Sequence, residues 1–439
     1  MKKRWAALVV LLCLVGAVSS AARGQELIIL HTNDLHGQSL ARLATLLEEQ
    51  RGLFPHLIWV DAGDLFSGTA VSNLLQGEAE EAAVLELGLD AITFGNHDFD
   101  FGLEAVQRSL ATGVPWISLN VLQEDGSSLA APFLLKEVGG LRVLITGVTT
   151  PETPRMSFPR NVEGLTFSDP VAALQELLAE QAGRYDICIV LSHLGYGEDL
   201  LLAQRVPGIN VIIGGHSHTV LNQPVRIRDT LICQAGANGQ YLGRVVISLT
   251  DGYSAQGELL RIDEGIAPHP RLVELDQLYE AMLAGELDQV IGYSRFGYVK
   301  NGMGLLLVKA LLDFSGADAA LYNGGGVRAG LPRGAVTRRD VFAVEPFDNQ
   351  VVVVTLTGAQ FAQLLEAKSL RSSDFYEGPR LVDTARTYTL VTSGFLTTPE
   401  SSYPMLAEGQ IEYLGVPVRA VLEDYLTQQV LEKTQQGVR

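Results

Sequence analysis

The chain has 439 residues, 47% of them hydrophobic and 19% charged, with 32 Lys+Arg against 50 Asp+Glu and a formal net charge of −18. That length is too great for one ordinary core and predicts two domains, while the apolar content excludes a disordered protein. The acidic balance argues against nucleic acid or an anionic membrane surface as the main partner, because both would repel it.

Lys2, Lys3 and Arg4 precede an uncharged apolar stretch from Trp5 to Val18, and Ser19, Ser20, Ala21 and Ala22 follow. A basic start, an apolar middle and a small-residue cleavage site predict a signal peptide over residues 1–22 and a periplasmic or secreted protein. The apolar run is shorter than the roughly 20 residues that cross a bilayer, so no stable membrane anchor is expected. Loss of the segment removes Cys13 and leaves Cys188 and Cys233, both in apolar, strand-like runs. They are read as buried free thiols, or as a pair if the compartment is oxidising.

Short apolar runs recur at 26–30, 57–60, 91–94, 142–148, 186–193 and 211–215, most of them ending at Gly, Asp, Asn or His. Strands buried on both faces have this form. Helical patterns at 41–50 and 171–183 lie between them, which predicts an α/β domain over residues 25–264 with helices covering a layered sheet. Residues 265–288 read as a Pro-started connector helix. A smaller unit follows over 289–439, with strand runs at 319–323, 351–356 and 387–395.

In an α/β layer functional groups gather at the carboxyl ends of strands. Those ends carry Asp34-Leu35-His36, Asp61-Ala62-Gly63-Asp64, Gly95-Asn96-His97-Asp98, Ser192-His193 and Gly214-Gly215-His216-Ser217-His218. Most of the chain's histidines lie there, too clustered for ordinary core or surface residues; His56 and His269 stand apart and are read as ordinary. Aspartate, asparagine and histidine without cysteine make a mixed oxygen and nitrogen shell suited to Zn²⁺, Mn²⁺ or Fe²⁺. Two such ions bridged by a carboxylate can activate a water and neutralise a phosphoryl oxygen together.

With GDLFSG at 63–68, GNHDFD at 95–100, LHTNDLHG at 30–37 and NGGGVR at 323–328, the chain resembles the secreted 5′-nucleotidases, a branch of the calcineurin-like metallophosphoesterases. The resemblance covers the chain from about residue 25 to its end. It implies an α/β fold in which a four-layer α-β-β-α metallophosphoesterase domain precedes a smaller α/β substrate-binding domain. It further implies two divalent metal ions, Zn, Mn or similar: one on Asp34, His36, Asp64 and His218, the other on Asp64, Asn96, His193 and His216, with Asp64 as the bridge. His97 would contact the substrate phosphate, and Asp100 would orient His97 and keep it protonated.

In the second domain the resemblance puts Asn323 on the base, Arg328 on the phosphate, Phe347 and Phe395 around the base, and Asn349 near it. Two family features are missing. Where the family carries GGDGY, whose Asp binds the ribose hydroxyls, this chain has Pro399-Glu400-Ser401-Ser402-Tyr403, with Ser401 at the Asp position. The family's Arg near the start of that domain has no counterpart in Tyr298–Leu305, and Arg295 does not align. The expected activity is hydrolysis of nucleoside 5′-monophosphates or related nucleotides, the partner being a small-molecule nucleotide or phosphate ester. The rivals are other phosphate esters, cyclic nucleotides, nucleotide sugars or a sulfur-oxidation thiohydrolase-like reaction on the same scaffold, or a non-catalytic extracellular binding protein. The sequence sets no oligomeric state.

Overall fold

A computed structural model describes residues 26–436 other than 251, 348, 399 and 400. The signal segment over 1–22, Cys13, and Pro399 and Glu400 lie outside the described residues.

Two six-stranded sheets form the centre of the first unit. In spatial order the first comprises Ser254–Arg261, Tyr241–Ser248, Glu26–Thr32, Leu57–Asp61, Ala91–Thr93 and Trp116–Ile117. The second comprises Val225–Ile227, Thr230–Cys233, Val211–Gly214, Ile187–His193, Leu141–Thr149 and Phe133–Val138. Each has a parallel centre closed by antiparallel strands at an edge. The two-residue period of a strand decides how they pack. Leu27, Ile29, Val143, Ile145, Ile187 and Ile189 fill the space between the sheets. Ile28 and Leu30 turn outward to the helix Ala41–Leu53, while Leu144, Cys188 and Val190 turn outward to the helices Pro170–Glu180 and Tyr196–Arg205. The result is the four-layer α-β-β-α sandwich. Asp169 starts the Pro170–Glu180 helix by accepting from the Val171 and Ala172 amides, with Pro170 in its first turn, where a missing N–H costs nothing.

The second unit is built on a five-stranded sheet in the order Phe375–Glu377, Ala319–Tyr322, Thr387–Ser393, Gln350–Thr357, Gln410–Pro417, with the antiparallel pair Val290–Ser294 and Gly334–Thr337 beside it. Alternate residues again face opposite ways. Val351 meets the helices Lys300–Ser315 and Val418–Gln436, whereas Val352, Val354 and Leu356 meet Gly358–Ser369.

The 18-residue helix Pro270–Leu287 joins the units. Leu272 at its start is buried in the first unit's core, and Leu287 at its end packs with Ala70 of the first unit and Phe342 of the second. Arg339 reinforces this end through Glu280 at 2.6 Å and Asp288 at 2.9 Å. Among the described residues, no helix is long and apolar enough to cross a membrane.

Candidate metal centre and substrate cleft

The loops that follow Glu26–Thr32, Leu57–Asp61, Ala91–Thr93 and Val211–Gly214 converge at one end of the sandwich, where the strand Ile187–His193 ends on His193 itself. Their backbone is unusual. Asp34, His36, Asp64, His216 and His218 all have positive φ, between 49° and 70°. Such left-handed conformations are sparsely populated by non-glycine residues and persist where surrounding structure imposes them. Gly63 and Gly95 allow two of these loops to touch: a Cβ on Gly63 would lie 2.5 Å from the Gly95 nitrogen, and one on Gly95 would lie 2.1 Å from Asp64 Oδ1.

Asp98 holds the same loops from within. Its buried carboxylate accepts from the backbone amides of Asp64 (2.9 Å), Leu65 (3.0 Å), Phe66 (3.1 Å) and Gly95 (2.7 Å). Sequence reasoning grouped Asp98 with the strand-end residues but assigned it no role.

The strand-end side chains meet. His218 Nε2 lies 3.3 Å from Asp34 Oδ1 and 3.2 Å from His36 Nε2. His193 Nε2 lies 3.2 Å and His36 Nε2 3.9 Å from Asp64 Oδ2. His216 Nδ1 is 2.9 Å from Asn96 Oδ1. Two groups could each hold an ion, Asp34–His36–His218 and Asp34–Asp64–His193. Asp34 is common to both groups, and Asp64 reaches histidines of each.

The donor chemistry fits divalent cations. His193 is wholly buried, and its Nδ1 is 2.7 Å from the Ala62 carbonyl, which can only accept, so Nδ1 carries the hydrogen. In the neutral ring Nε2 keeps a lone pair that faces the Asp64 carboxylate at 3.2 Å. Two electron-pair donors this close call for a cation between them: without an ion Asp64 holds the ring's pKa up at about 10 against its burial, and a bound metal would take that proton's place, the carbonyl behind the histidine fixing the tautomer a ligand needs.

His97 stands beside this cluster. Its amide donates to Asp64 Oδ1 at 2.8 Å, and its Nδ1 lies 2.7 Å from Asp100 Oδ2. Burial opposes a charged ring here, but the Asp100 and Asp64 carboxylates outweigh it and hold the His97 pKa up at about 9. The ring stacks toward Phe347 of the second unit, centroid to centroid 6.1 Å, and the Arg328 guanidinium lies 5.9 Å from the Phe347 centroid.

A cavity of about 690 Å³ opens between the units, lined by His97 and Asp100 on one side and by Asn323, Arg328, Phe347, Asn349 and Phe395 on the other. The first unit also contributes Met156, Phe158, Arg160 and Asn161. Sequence reasoning missed this segment, because it has neither periodicity nor a chemical motif. It is tied to the centre by Ser157 Oγ donating to the Asn96 carbonyl (2.9 Å) and Asn161 Nδ2 donating to that of Asp100 (2.7 Å).

Ser401 is occupied elsewhere. Its hydroxyl donates to the Leu396 carbonyl at 2.7 Å and accepts from the Tyr403 amide at 3.1 Å. Tyr403 in turn donates to Asp374, which accepts from the Gly324 amide and so braces the NGGGVR turn. Arg295 stacks over Phe296 and is not among the cavity's described lining.

The family described as calcineurin-like phosphoesterase matches residues 27–220, and the one described as 5′-nucleotidase, C-terminal domain matches residues 294–378. The chain belongs to the 5′-nucleotidase family. Among related proteins, the 5′-nucleotidase of Bos taurus is 29% identical over 419 residues, covering 79% of this chain and 72% of that protein. The trifunctional nucleotide phosphoesterase protein YfkN of Bacillus subtilis is 30% identical over 406 residues, covering 78% of this chain; the match spans only 27% of YfkN. In three dimensions the chain is similar to a 5′-nucleotidase precursor from Thermus thermophilus, with a TM-score of 0.83 and 27% identity over 92% of this chain and 97% of that one.

Proposed function

We propose that the protein is a two-metal phosphohydrolase that converts nucleoside 5′-monophosphates or related nucleotides to nucleoside and phosphate. Asp34, His36, Asp64 and His218 would hold one divalent ion, and Asp64, Asn96, His193 and His216 the other; Zn and Mn suit this donor set. When bound, the ions supply Lewis acidity toward the phosphoryl group and toward the attacking water. Every other step falls to the chain's own side chains. Charged His97, oriented by Asp100, donates a hydrogen bond to the phosphoryl oxygen as negative charge builds there. Arg328 fixes the phosphate by a paired hydrogen bond, Phe347 and Phe395 hold the base between their faces, and Asn323 and Asn349 contact its edge.

The observation that carries this reading is the His97 ring, paired with Asp100 and placed between the strand-end cluster and Arg328 in one cavity. On the same reading the catalytic domain spans 25–264, the linker 265–288 and the substrate domain 289–439. The chain would act in the periplasm or outside the cell after loss of residues 1–22.

One observation favours a second reading, in which other phosphate esters are the substrates: Ser401 is turned into its own loop rather than the cavity. Phosphate release from AMP and from a panel of non-nucleoside esters, with Mn²⁺ or Zn²⁺ added, decides between them. A strong AMP preference supports the nucleotidase reading, and equal turnover of simple esters supports the second. His97→Ala with metal still bound should lower kcat about 100- to 1000-fold, and an undiminished kcat would remove His97 from the mechanism.

A further inference from the structure

Beneath the cavity lies a buried hydrogen-bond network that reaches it through Asn349 and Arg419. Glu345 is fully buried, and its Oε1 accepts from the Tyr322 hydroxyl at 2.8 Å and from Asn349 Nδ2 at 3.2 Å. Asn349 Nδ2 also lies 3.5 Å from the Tyr322 oxygen. Arg419 donates to the carbonyls of Glu345 (3.3 Å) and Phe347 (3.1 Å), and its Nη1 is 4.0 Å from Glu345 Oε2. Burial and the adjacent Glu345 raise the Tyr322 phenol well above its ordinary pKa, so it remains a donor.

These contacts decide which way the Asn349 amide faces. Glu345 Oε1 receives the Tyr322 hydrogen, and the carboxylate carries Arg419 on the side of its other oxygen, so Oε1 acts as an acceptor and the atom turned to it is Nδ2. The end of the amide left for the cavity, which Asn349 lines, is Oδ1. An asparagine without such a neighbour could offer either end.

We propose that Glu345 is a positioning residue: by fixing the Asn349 amide it makes the cavity present a hydrogen-bond acceptor, selecting rings that carry an amino group over rings that carry a carbonyl at the same edge. The inference rests on the reading of Asn349 as a contact of the base. A carbonyl-bearing ring in the same pose would set oxygen against oxygen and would have to shift to offer its ring N–H instead, a mismatch that costs about tenfold in kcat/KM.

AMP and IMP differ in this respect, amino against carbonyl, and are the probes. Wild-type kcat/KM for AMP should exceed that for IMP by about tenfold. Glu345→Leu removes the acceptor, so the Asn349 amide is no longer held one way round and the ratio falls toward one, the change entering through KM. Tyr322→Phe removes the phenol's hydrogen bond to Oε1 but keeps the Glu345–Asn349 contact, so its ratio still favours AMP; a merely structural role would move both variants alike. If Glu345→Leu does not fold, Asn349→Leu replaces it and should bring the ratio to about one. A wild-type ratio near or below one, or an unchanged ratio in folded Glu345→Leu or Asn349→Leu, overturns the proposal. Calorimetric binding of adenosine and inosine separates it from the functional reading. Adenosine preference without phosphate release upholds the role of Glu345 and ends the phosphohydrolase reading, whereas equal binding with phosphate release does the reverse.

Discussion

His97 sits where the strand-end cluster meets the second unit, and two carboxylates set its charge. Because its pKa is held up at about 9, against burial, by Asp100 and Asp64, the ring is protonated through neutral pH and loses its proton only above about pH 9. If the charged form is the working one, kcat/KM for AMP falls as pH rises through about 9. Asp100→Asn removes the strongest raising charge, so the alkaline limb should move toward the ordinary histidine value of 6.5 and activity at pH 8 should drop about tenfold. Paired pH–rate profiles check this; a limb that stays in place in the variant separates Asp100 from the ionisation of His97. At this scale the sequence was partly legible. Polar and histidine residues at strand ends stand out against apolar runs, so Asp34, His36, Asp64, Asn96, His193, His216 and His218 could be picked out before any coordinates. Asp98 and Glu345 could not be understood in that way. Their partners are backbone amides, or side chains 23 residues away, which only the folded chain brings near.

Among the elements, the strand Val211–Gly214 settles what the sequence left open about the two cysteines. It lies between Ile187–His193 and Thr230–Cys233, so Cys188 and Cys233 are separated by a whole strand. Cys188 also faces the helices while Cys233 faces the opposite sheet. Two strand spacings on opposite faces exceed a disulfide's reach, and both thiols are free. Burial pushes each thiol up to about 12, which suppresses the reactive thiolate. Iodoacetamide should therefore leave both unmodified in the native protein and alkylate both after unfolding, as mass spectrometry would record. Rapid native labelling would contradict the packing. Doubly buried strands such as Ile187–His193 were easy to read because their residues are almost all apolar. The edge strands Phe133–Val138 and Gln410–Pro417 were not, because their half-exposed residues carry little hydrophobic signal.

For the whole molecule, five positive-φ residues in the strand-end cluster are a standing strain, at about 1–3 kcal/mol each, that neighbouring contacts must offset. Bound cations would add to that offset by mass action, about 2.7 kcal/mol when present at a hundred times their Kd. Chelation with EDTA should thus lower the melting temperature of the first unit by several degrees, and Mn²⁺ or Zn²⁺ should restore it. A melting curve indifferent to both would argue against ion binding at these loops. The two-unit plan was legible from the connector's helical period, but the cavity was not, since its walls are drawn from residues more than 300 positions apart.

The chain passes between the units along the single helix Pro270–Leu287, and the converging strand-end side chains all precede it, whereas Asn323, Arg328, Phe347, Asn349 and Phe395 all follow it. Inheritance can therefore treat the two halves as separate cassettes. Mutations that remodel the cavity wall downstream of that helix leave the strand-end apparatus untouched, and a recombination breakpoint within that helix would exchange one wall for another in a single event. Directed evolution of new selectivity should accordingly begin downstream of residue 288.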